Sequence, residues 1–257
     1  MVSFEFPVFN ITLFSIGIPL FFWGLILFVW GLISFRKKRL IENIPTSKIR
    51  SIAMGLVEIY GEVVPERGNI LKSPFSQNDC VYYKYKIEEL RSTGKSTYWA
   101  TIKKDWDYHT FYLKDDTGMV LVDPLDAKID IPVDNVFKSS MGKDPPEEVK
   151  QFLQKSNIRF EGPIFKINKT MRFTEHFIAP KDKLYIMGTA DDNPFVKEAS
   201  AVKGVEDIII KKGKHEKFYY ISDKTEWKIL RNYSRAFVVG VILGSIFIII
   251  GTITFLL

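Results

Sequence analysis

The distribution of apolar and polar positions divides the chain into three stretches. Residues 11–35 and 236–257 contain no charged side chain, whereas the residues between them alternate apolar and polar positions over short runs. A bilayer core of about 30 Å is crossed by roughly 20 apolar residues at about 1.5 Å each, so both uncharged runs predict transmembrane helices, the first with some tilt. Helices in soluble cores seldom extend this far without a charge. A secretory leader is the other reading of the first run. No Lys or Arg precedes it, however, and it ends at Arg36-Lys37-Lys38-Arg39 instead of a small-residue cleavage site. The expectation is a retained anchor.

Between the two runs the pattern becomes that of strands. Thr46 is placed to cap a short helix over 47–54, with Gly55 where that helix would end. Val57, Ile59 and Val63 then share one side of an extended segment and Glu58, Tyr60 and Glu62 the other; Val81, Tyr83, Tyr85 and Ile87 alternate in the same way with Tyr82, Lys84, Lys86 and Glu88. This period of two predicts strands with one buried face. Residues 110–113 and 119–122 flank Lys114-Asp115-Asp116-Thr117-Gly118, a hairpin whose turn is supplied by acidic residues and a glycine. Further strands are expected at 99–103, 128–131, 183–187, 207–211 and 218–221. A helix is expected over 147–155, capped by Asp144 and opened by Pro145 and Pro146, and another begins near 222–226 and continues into the second apolar run. No linker or repeat divides the middle of the chain. The fold class is therefore α+β. Transmembrane helices at 11–35 and 236–257 flank one β-rich soluble domain at 36–235, and a small barrel of the OB kind fits its strand pattern.

Glycines mark the apolar runs. Gly17, Gly24 and Gly31 recur at a seven-residue step, and Gly240, Gly244 and Gly251 combine a G-x-x-x-G step with another seven. Small residues on one stripe let helix backbones approach closely, so antiparallel packing through these glycines is expected. Orientation follows from positive charge near the membrane. The cluster at 36–39, with Lys48 and Arg50, is matched by Lys224, Lys228, Arg231 and Arg235 before the second run, while residues 1–10 hold Glu5 and no base. The expectation is a multi-pass protein of the cell membrane with its central domain in the cytoplasm.

Charge adds partners more than chemistry. The net charge of +6, from 36 basic and 30 acidic residues, concentrates at these flanks and points to anionic lipid headgroups; elsewhere Lys is interspersed with carboxylates, and no nucleic-acid partner is expected. Cys80 is the sole cysteine, so no internal disulfide forms. With His109, His176 and His215 it makes a set without metal-ligand spacing, and neither metal nor cofactor is expected. A Cys80–His109 dyad is the sharpest enzymatic arrangement available, but Cys80 leads into a half-buried strand and reads better as a small buried hydrophobe. Asp115, Asp116, Asp123, Asp191 and Asp192 lie beside turn formers, which accounts for them without acid–base chemistry.

Specific blocks carry a family resemblance. Ile44-Pro45-Thr46-Ser47-Lys48-Ile49-Arg50-Ser51-Ile52-Ala53-Met54-Gly55-Leu56-Val57-Glu58-Ile59 resembles the opening of the GIDE, or beside-a-membrane, domain of mitochondrial membrane ubiquitin ligases. Leu71-Lys72-Ser73-Pro74-Phe75, Cys80-Val81-Tyr82-Tyr83 and residues 111–124, 184–190 and 218–226 are similar to later blocks of that domain, in the same order. The resemblance implies flanking membrane helices and, in eukaryotic members, a RING after the second helix that carries ligase activity. A RING takes eight zinc ligands, whereas this sequence has one Cys and three His. The mitochondrial members also imply a domain facing the intermembrane space, opposite to the reading from charge.

These observations lead to a membrane-tethered, non-catalytic binding or scaffold domain for an unidentified protein partner. Two alternatives stand beside it: a component of a ubiquitin-like ligase system with catalysis supplied in trans, and a hydrolase working through Cys80 or a carboxylate cluster. The family-like blocks place the candidate partner surface at Thr46, Ser47, Lys48 and Arg50 with Ser73 and Pro74.

Overall fold

The computed structural model describes residues 11–161, 168–194, 207–214 and 218–256. Glu5, His215 and Leu257 lie outside the described residues. The chain forms two compact units, one from its ends, Met1–Pro45 with Thr225–Leu257, and one from Thr46–Lys224.

The terminal unit pairs helix α1 (Ile11–Glu42) with helix α3 (Glu226–Leu256). Both are long and apolar enough to cross a membrane, over Ile16–Glu42 and Glu226–Phe255. Their outward side chains include Phe22, Trp23 and Ile26 on α1 and Ile242, Ile249 and Ile253 on α3, all exposed. Such an apolar exterior is unfavourable in water and favourable in hydrocarbon. Both helices run past their uncharged stretches, α1 through Arg36-Lys37-Lys38-Arg39 and α3 from Glu226 through Arg235.

The central unit is built on a closed ring of five strands: β1 (Gly55–Pro65), β6 (Phe111–Lys114), β7 (Met119–Val122), β12 (Ile208–Lys211) and β11 (Lys183–Asp192), which returns to β1. All neighbours are antiparallel except β7 and β12. This is an OB-like barrel. Alternate residues fill it: Val57, Ile59 and Val63 of β1 meet Phe111, Leu113, Val120, Val122, Leu184, Ile186 and Ile210. Each fully buried aliphatic side chain contributes about 1.5–3 kcal/mol relative to exposure. At Gly61 an added Cβ would lie 2.5 Å from the Lys114 carbonyl oxygen, so only glycine lets β1 approach β6 this closely. On the outside of the ring, β13 (Tyr220–Ser222) pairs with β11, and β8 (Lys128–Asp130) runs parallel to β13.

Two insertions leave the barrel and meet each other. One, between β1 and β6, supplies the short antiparallel pair β2 (Leu71–Lys72) and β3 (Asp79–Cys80) and the hairpin β4 (Tyr82–Ser92) and β5 (Thr97–Tyr108); the other, between β7 and β11, supplies β9 (Asn135–Ser139), helix α2 (Glu147–Lys155) and β10 (Met171–Ile178). Together they form an antiparallel sheet in the order β5-β4-β10-β9. Its inner face carries Tyr85, Ile87, Met171 and Phe173 against Val149 and Leu153 of α2 and against Phe75. Phe75 lies edge-on to Tyr85, Phe152 and Phe173 at 5.5, 5.3 and 5.8 Å, the arrangement preferred by ring quadrupoles.

The structure corrects two expectations of local structure. Residues 47–54 form no α-helix; only Ile49–Ser51 makes a 3-10 turn. The hairpin turn supplies the reason. Asp115 Oδ2 accepts the Ile49 N–H at 2.9 Å and Thr117 Oγ1 accepts the Arg50 N–H at 3.1 Å, so tertiary acceptors replace those of a helix. Thr46 donates its hydroxyl to buried Glu58 instead of capping. Gly55, at φ +113°, begins β1. Likewise α2 begins after Pro146 with no side-chain cap; Asp144 instead accepts from Asn168 Nδ2 at 2.6 Å and pairs with Lys150 at 2.9 Å.

Candidate functional site: a basic, tryptophan-bearing sheet face

Directly opposed residues in an antiparallel sheet point to the same side, so register places distant residues on one surface. Trp106, Lys84 and His176 form one row across β5, β4 and β10, and Lys104, Lys86, Thr174 and Val136 the next. Thr101, Glu88, Arg172 and Lys138 follow, then Trp99 with Leu90; a bulge beside Glu88 keeps this parity. The opposite side holds the Phe75 cluster, which leaves these rows on the outer face.

The electrostatics of the face are one-sided. It carries Lys84, Lys86, Lys104, Lys138 and Arg172 against Glu88 alone. That carboxylate is nearly buried and doubly paired, to Lys86 at 2.8 Å and Arg172 at 2.7 Å. Burial pushes the Glu88 carboxyl up, but hydrogen bonds from Lys86 and Arg172 outweigh it and hold it below its usual range. Among the described residues, Lys84, Lys104 and Lys138 have no carboxylate within ion-pair distance. Trp106 is 51% and Trp99 36% exposed. The Arg172 guanidinium covers Trp99 at 4.6 Å, and Trp106 stacks on Tyr108 at 5.6 Å.

Where this face approaches the barrel there is a cleft of about 300 Å³ lined by Tyr82, Lys84, Trp106, Pro124, Asp126, Ala127 and Ile129. Burial pushes the Tyr82 phenol up to about 12, so it stays neutral. Asp126 is paired with Lys212 at 3.3 Å. The cleft thus sets a half-exposed indole beside a lysine that has no ion-pair partner among the described residues.

The residues singled out in the sequence lie elsewhere. Ser47 donates its N–H to the Glu58 carbonyl, and Lys48 pairs with Asp116 at 2.6 Å on an exposed surface, where that hydrogen bond raises the Lys48 pKa. Arg50 is exposed beside the hairpin turn. Ser73 and Pro74 are buried, and Ser73 closes a turn by bonding Ser76 and accepting the Asn78 N–H. Buried Glu175 holds the same turn by accepting the N–H groups of Phe75 and Ser76 at 3.0 and 3.3 Å. The glycines face one another across α1 and α3. A Cβ on Gly24 would meet the Gly244 carbonyl at 2.8 Å, one on Gly240 the Gly31 Cα at 2.8 Å, and one on Gly251 the Gly17 carbonyl at 2.8 Å.

The pattern along the chain does not reveal this face because its bases come from four strands, two of which, β9 and β10, the sequence does not predict. The alternation of Lys84 and Lys86 along β4, and the two tryptophans of β5, were the available signals.

Cys80 is fully buried, with its thiol against the Leu71 carbonyl at 3.7 Å. Burial, followed by the charge of Glu175, pushes it up to about 12, the reverse of an activated nucleophile. Asp115 accepts four hydrogen bonds from Ile49, Thr117 and Gly118 and serves the turn. Among the described residues no group of three His, Cys, Asp or Glu side chains is arranged to hold a metal.

A family model described as GIDE, E3 ubiquitin ligase, matches residues 81–256. No curated protein matches the chain, and neither does any solved structure. The matched span leaves out the blocks at 44–59 and 71–75 but takes in the β4–β5 hairpin, the second insertion, four of the five barrel strands and α3. With well over half of its residues inside that match, the chain belongs to the GIDE family.

Proposed function

We propose that this protein is a membrane-anchored binding module, held in a bilayer by α1 and α3, whose central domain carries a protein partner on the outer face of the four-stranded sheet. The observation that carries this reading is the coincidence, on one face, of two exposed tryptophans, three lysines without ion-pair partners among the described residues, and the adjoining cleft. The test is photocrosslinking from a reactive residue at position 106, in membranes. A discrete protein adduct that disappears with Lys84→Glu is expected; adducts indifferent to that change, or none, defeat the reading.

The basic flanks at 36–39 and at Lys228, Arg231 and Arg235 support anionic headgroups as lipid partners and a cytoplasmic central domain. Because Cys80 is buried, orientation is tested with Met141→Cys, which replaces a 76% exposed side chain. Protection from an impermeant thiol reagent until cells are lysed is expected, and labelling of intact cells reverses the orientation.

The family description favours a second reading, a part in ubiquitin-like transfer with catalysis supplied by another protein. On that reading the detergent-solubilised chain binds a ubiquitin-like protein or its conjugating enzyme. Absence of both interactions removes it.

A further inference from the structure

We propose that the partner presents an extended acidic segment, which adds to the free edge of β5 and sets its carboxylates against Lys104 and Lys84. This rests on the binding-module reading and names the chemistry of its partner.

The edge is the first observation. Among the described residues β5 pairs only with β4, which leaves a row of backbone donors and acceptors open along its other side. The two ends of the strand differ. At one end Asp105 and Asp107 cap the N–H groups of Trp106 and Tyr108 through their own side chains, at 3.0 and 2.9 Å, which blunts the edge there. Residues 97–104 have no such caps and carry Thr97, Tyr98, Trp99 and Thr101, residue types that fit a pleated surface. Strand addition to an exposed edge is an established mode of peptide capture, in which main-chain bonds give affinity and alternate side chains give specificity.

Charge is the second. An added strand would project every other side chain toward the outer face, at a repeat of about 6.5–7 Å, beside rows headed by Trp106, Lys104, Thr101 and Trp99. Those rows hold five bases, and their one carboxylate is already shared between Lys86 and Arg172. Acidic side chains at alternate positions complement this face, and basic ones are repelled.

The aromatic geometry separates a peptide from a single-stranded nucleic acid. Bases would need open ring faces to stack upon. Arg172 covers one face of Trp99 at 4.6 Å, and Tyr108 stacks on one face of Trp106, which halves the ring surface open to bases.

The experiment uses the full chain in nanodiscs of neutral phosphatidylcholine and four fluorescent probes. These are a ten-residue peptide alternating Glu and Val, its Lys/Val counterpart, the Glu/Val peptide with proline at two central positions, and an oligo-uridine. Expected are saturable binding of the Glu/Val peptide, no binding of the Lys/Val peptide, and a loss on the order of tenfold or more with proline, which cannot donate to the ladder. Lys84→Glu with Lys104→Glu reduces binding by a similar factor. Lys155→Glu, on α2, leaves it unchanged. All three substituted positions are exposed, and thermal melts of the variants check that the fold is retained.

The proposal is overturned if the Glu/Val peptide fails to bind, if proline has no effect, or if the double reversal leaves affinity intact. Preferential binding of the oligo-uridine, lost in the double reversal, likewise overturns the acidic-peptide assignment. In each case the crosslink from position 106 decides separately: a Lys84-dependent protein adduct keeps the binding module and rejects only this partner chemistry, and its absence removes both.

Discussion

The barrel and the four-stranded sheet share one strand chemistry and differ in closure. Every barrel strand has neighbours on both sides, because β11 returns to β1 over a long register from Gly55↔Ala190 to Glu62↔Lys183. The sheet ends at β5 on one side and β9 on the other. A closed ring offers a partner only its outer side chains, whereas an open sheet also offers backbone. The same insertions that give the domain its second core, around Phe75, therefore give it an open sheet edge.

The comparison breaks most sharply at Phe75. Phe75→Ala removes the ring at the centre of the sheet's core and is expected to cost about 3–5 kcal/mol. Hydrogen exchange on the variant reads where the loss falls. Faster exchange in β4 and β10, with β1 and β11 still protected, shows two cooperative units, while equal loss in both shows that barrel and sheet open as one.

Gly61→Ala attacks the barrel from its own seam. Its Cβ would press on the backbone carbonyl of Lys114, which no side-chain rotation relieves, and a destabilisation of about 1–3 kcal/mol is expected. The matching readout is loss of protection at β1 and β6 with peptide binding by the sheet retained. Unchanged barrel protection would mean that β1 can move away from β6 freely.

The smallest contrast is electrostatic. Burial pushes the carboxyl of Asp115 up, but the Ile49 N–H and the Thr117 and Gly118 bonds outweigh it and hold it below its usual range. Its stabilising effect is present above the unfolded carboxylate pKa, near 3.9, and is lost as pH falls through the lower folded value. Asp134, beside the sheet, is raised chiefly by burial, which the Phe177 N–H offsets only in part. It opposes folding at neutral pH, and that opposition fades as pH falls through its raised value. Asp115→Asn is therefore expected to lower stability at pH 7 and to change little at pH values below both pKas, and Asp134→Asn to raise it slightly at pH 7. Denaturant titrations at the two pH values check the opposite signs.

Where one physical signal dominated, the sequence was readable. The β6–β7 hairpin falls where alternation and the Asp-Thr-Gly turn place it, because both its register and its turn are local. The uncharged runs, as far as residue 256, lie within helices for the same reason. The sheet was only half legible. In β10 the alternate inward positions are Met171, Phe173 and Glu175, and a buried carboxylate there interrupts the apolar period; it is explained only by its bonds to Phe75, Ser76 and Asn135, far away in the chain. The segment at 47–54 had the composition of a helix start, yet Asp115 and Thr117, more than sixty residues on, supplied better acceptors. Thr46, Ser47, Lys48, Arg50, Ser73 and Pro74 stand in recognisable blocks, at 44–59 and 71–75, and lie in or beside turns, whereas the exposed basic face arises from pairings such as Arg172↔Glu88 that no local window contains.

Ring closure also sets a timetable. The partner of Gly55 is Ala190, so β1 waits, unpaired on that side, until most of the central unit has been synthesised. The hairpins β4–β5 and β6–β7 need only their own residues and can form at once, but β4 keeps its inner edge open until β10 arrives with Met171. Topologies of this kind fold slowly, and their waiting edges are the sites at which nascent chains adhere to one another. Residues 226–256 leave the ribosome after β12 and β13, so this helix, long and apolar enough to cross a membrane, emerges only once all five barrel strands have been made.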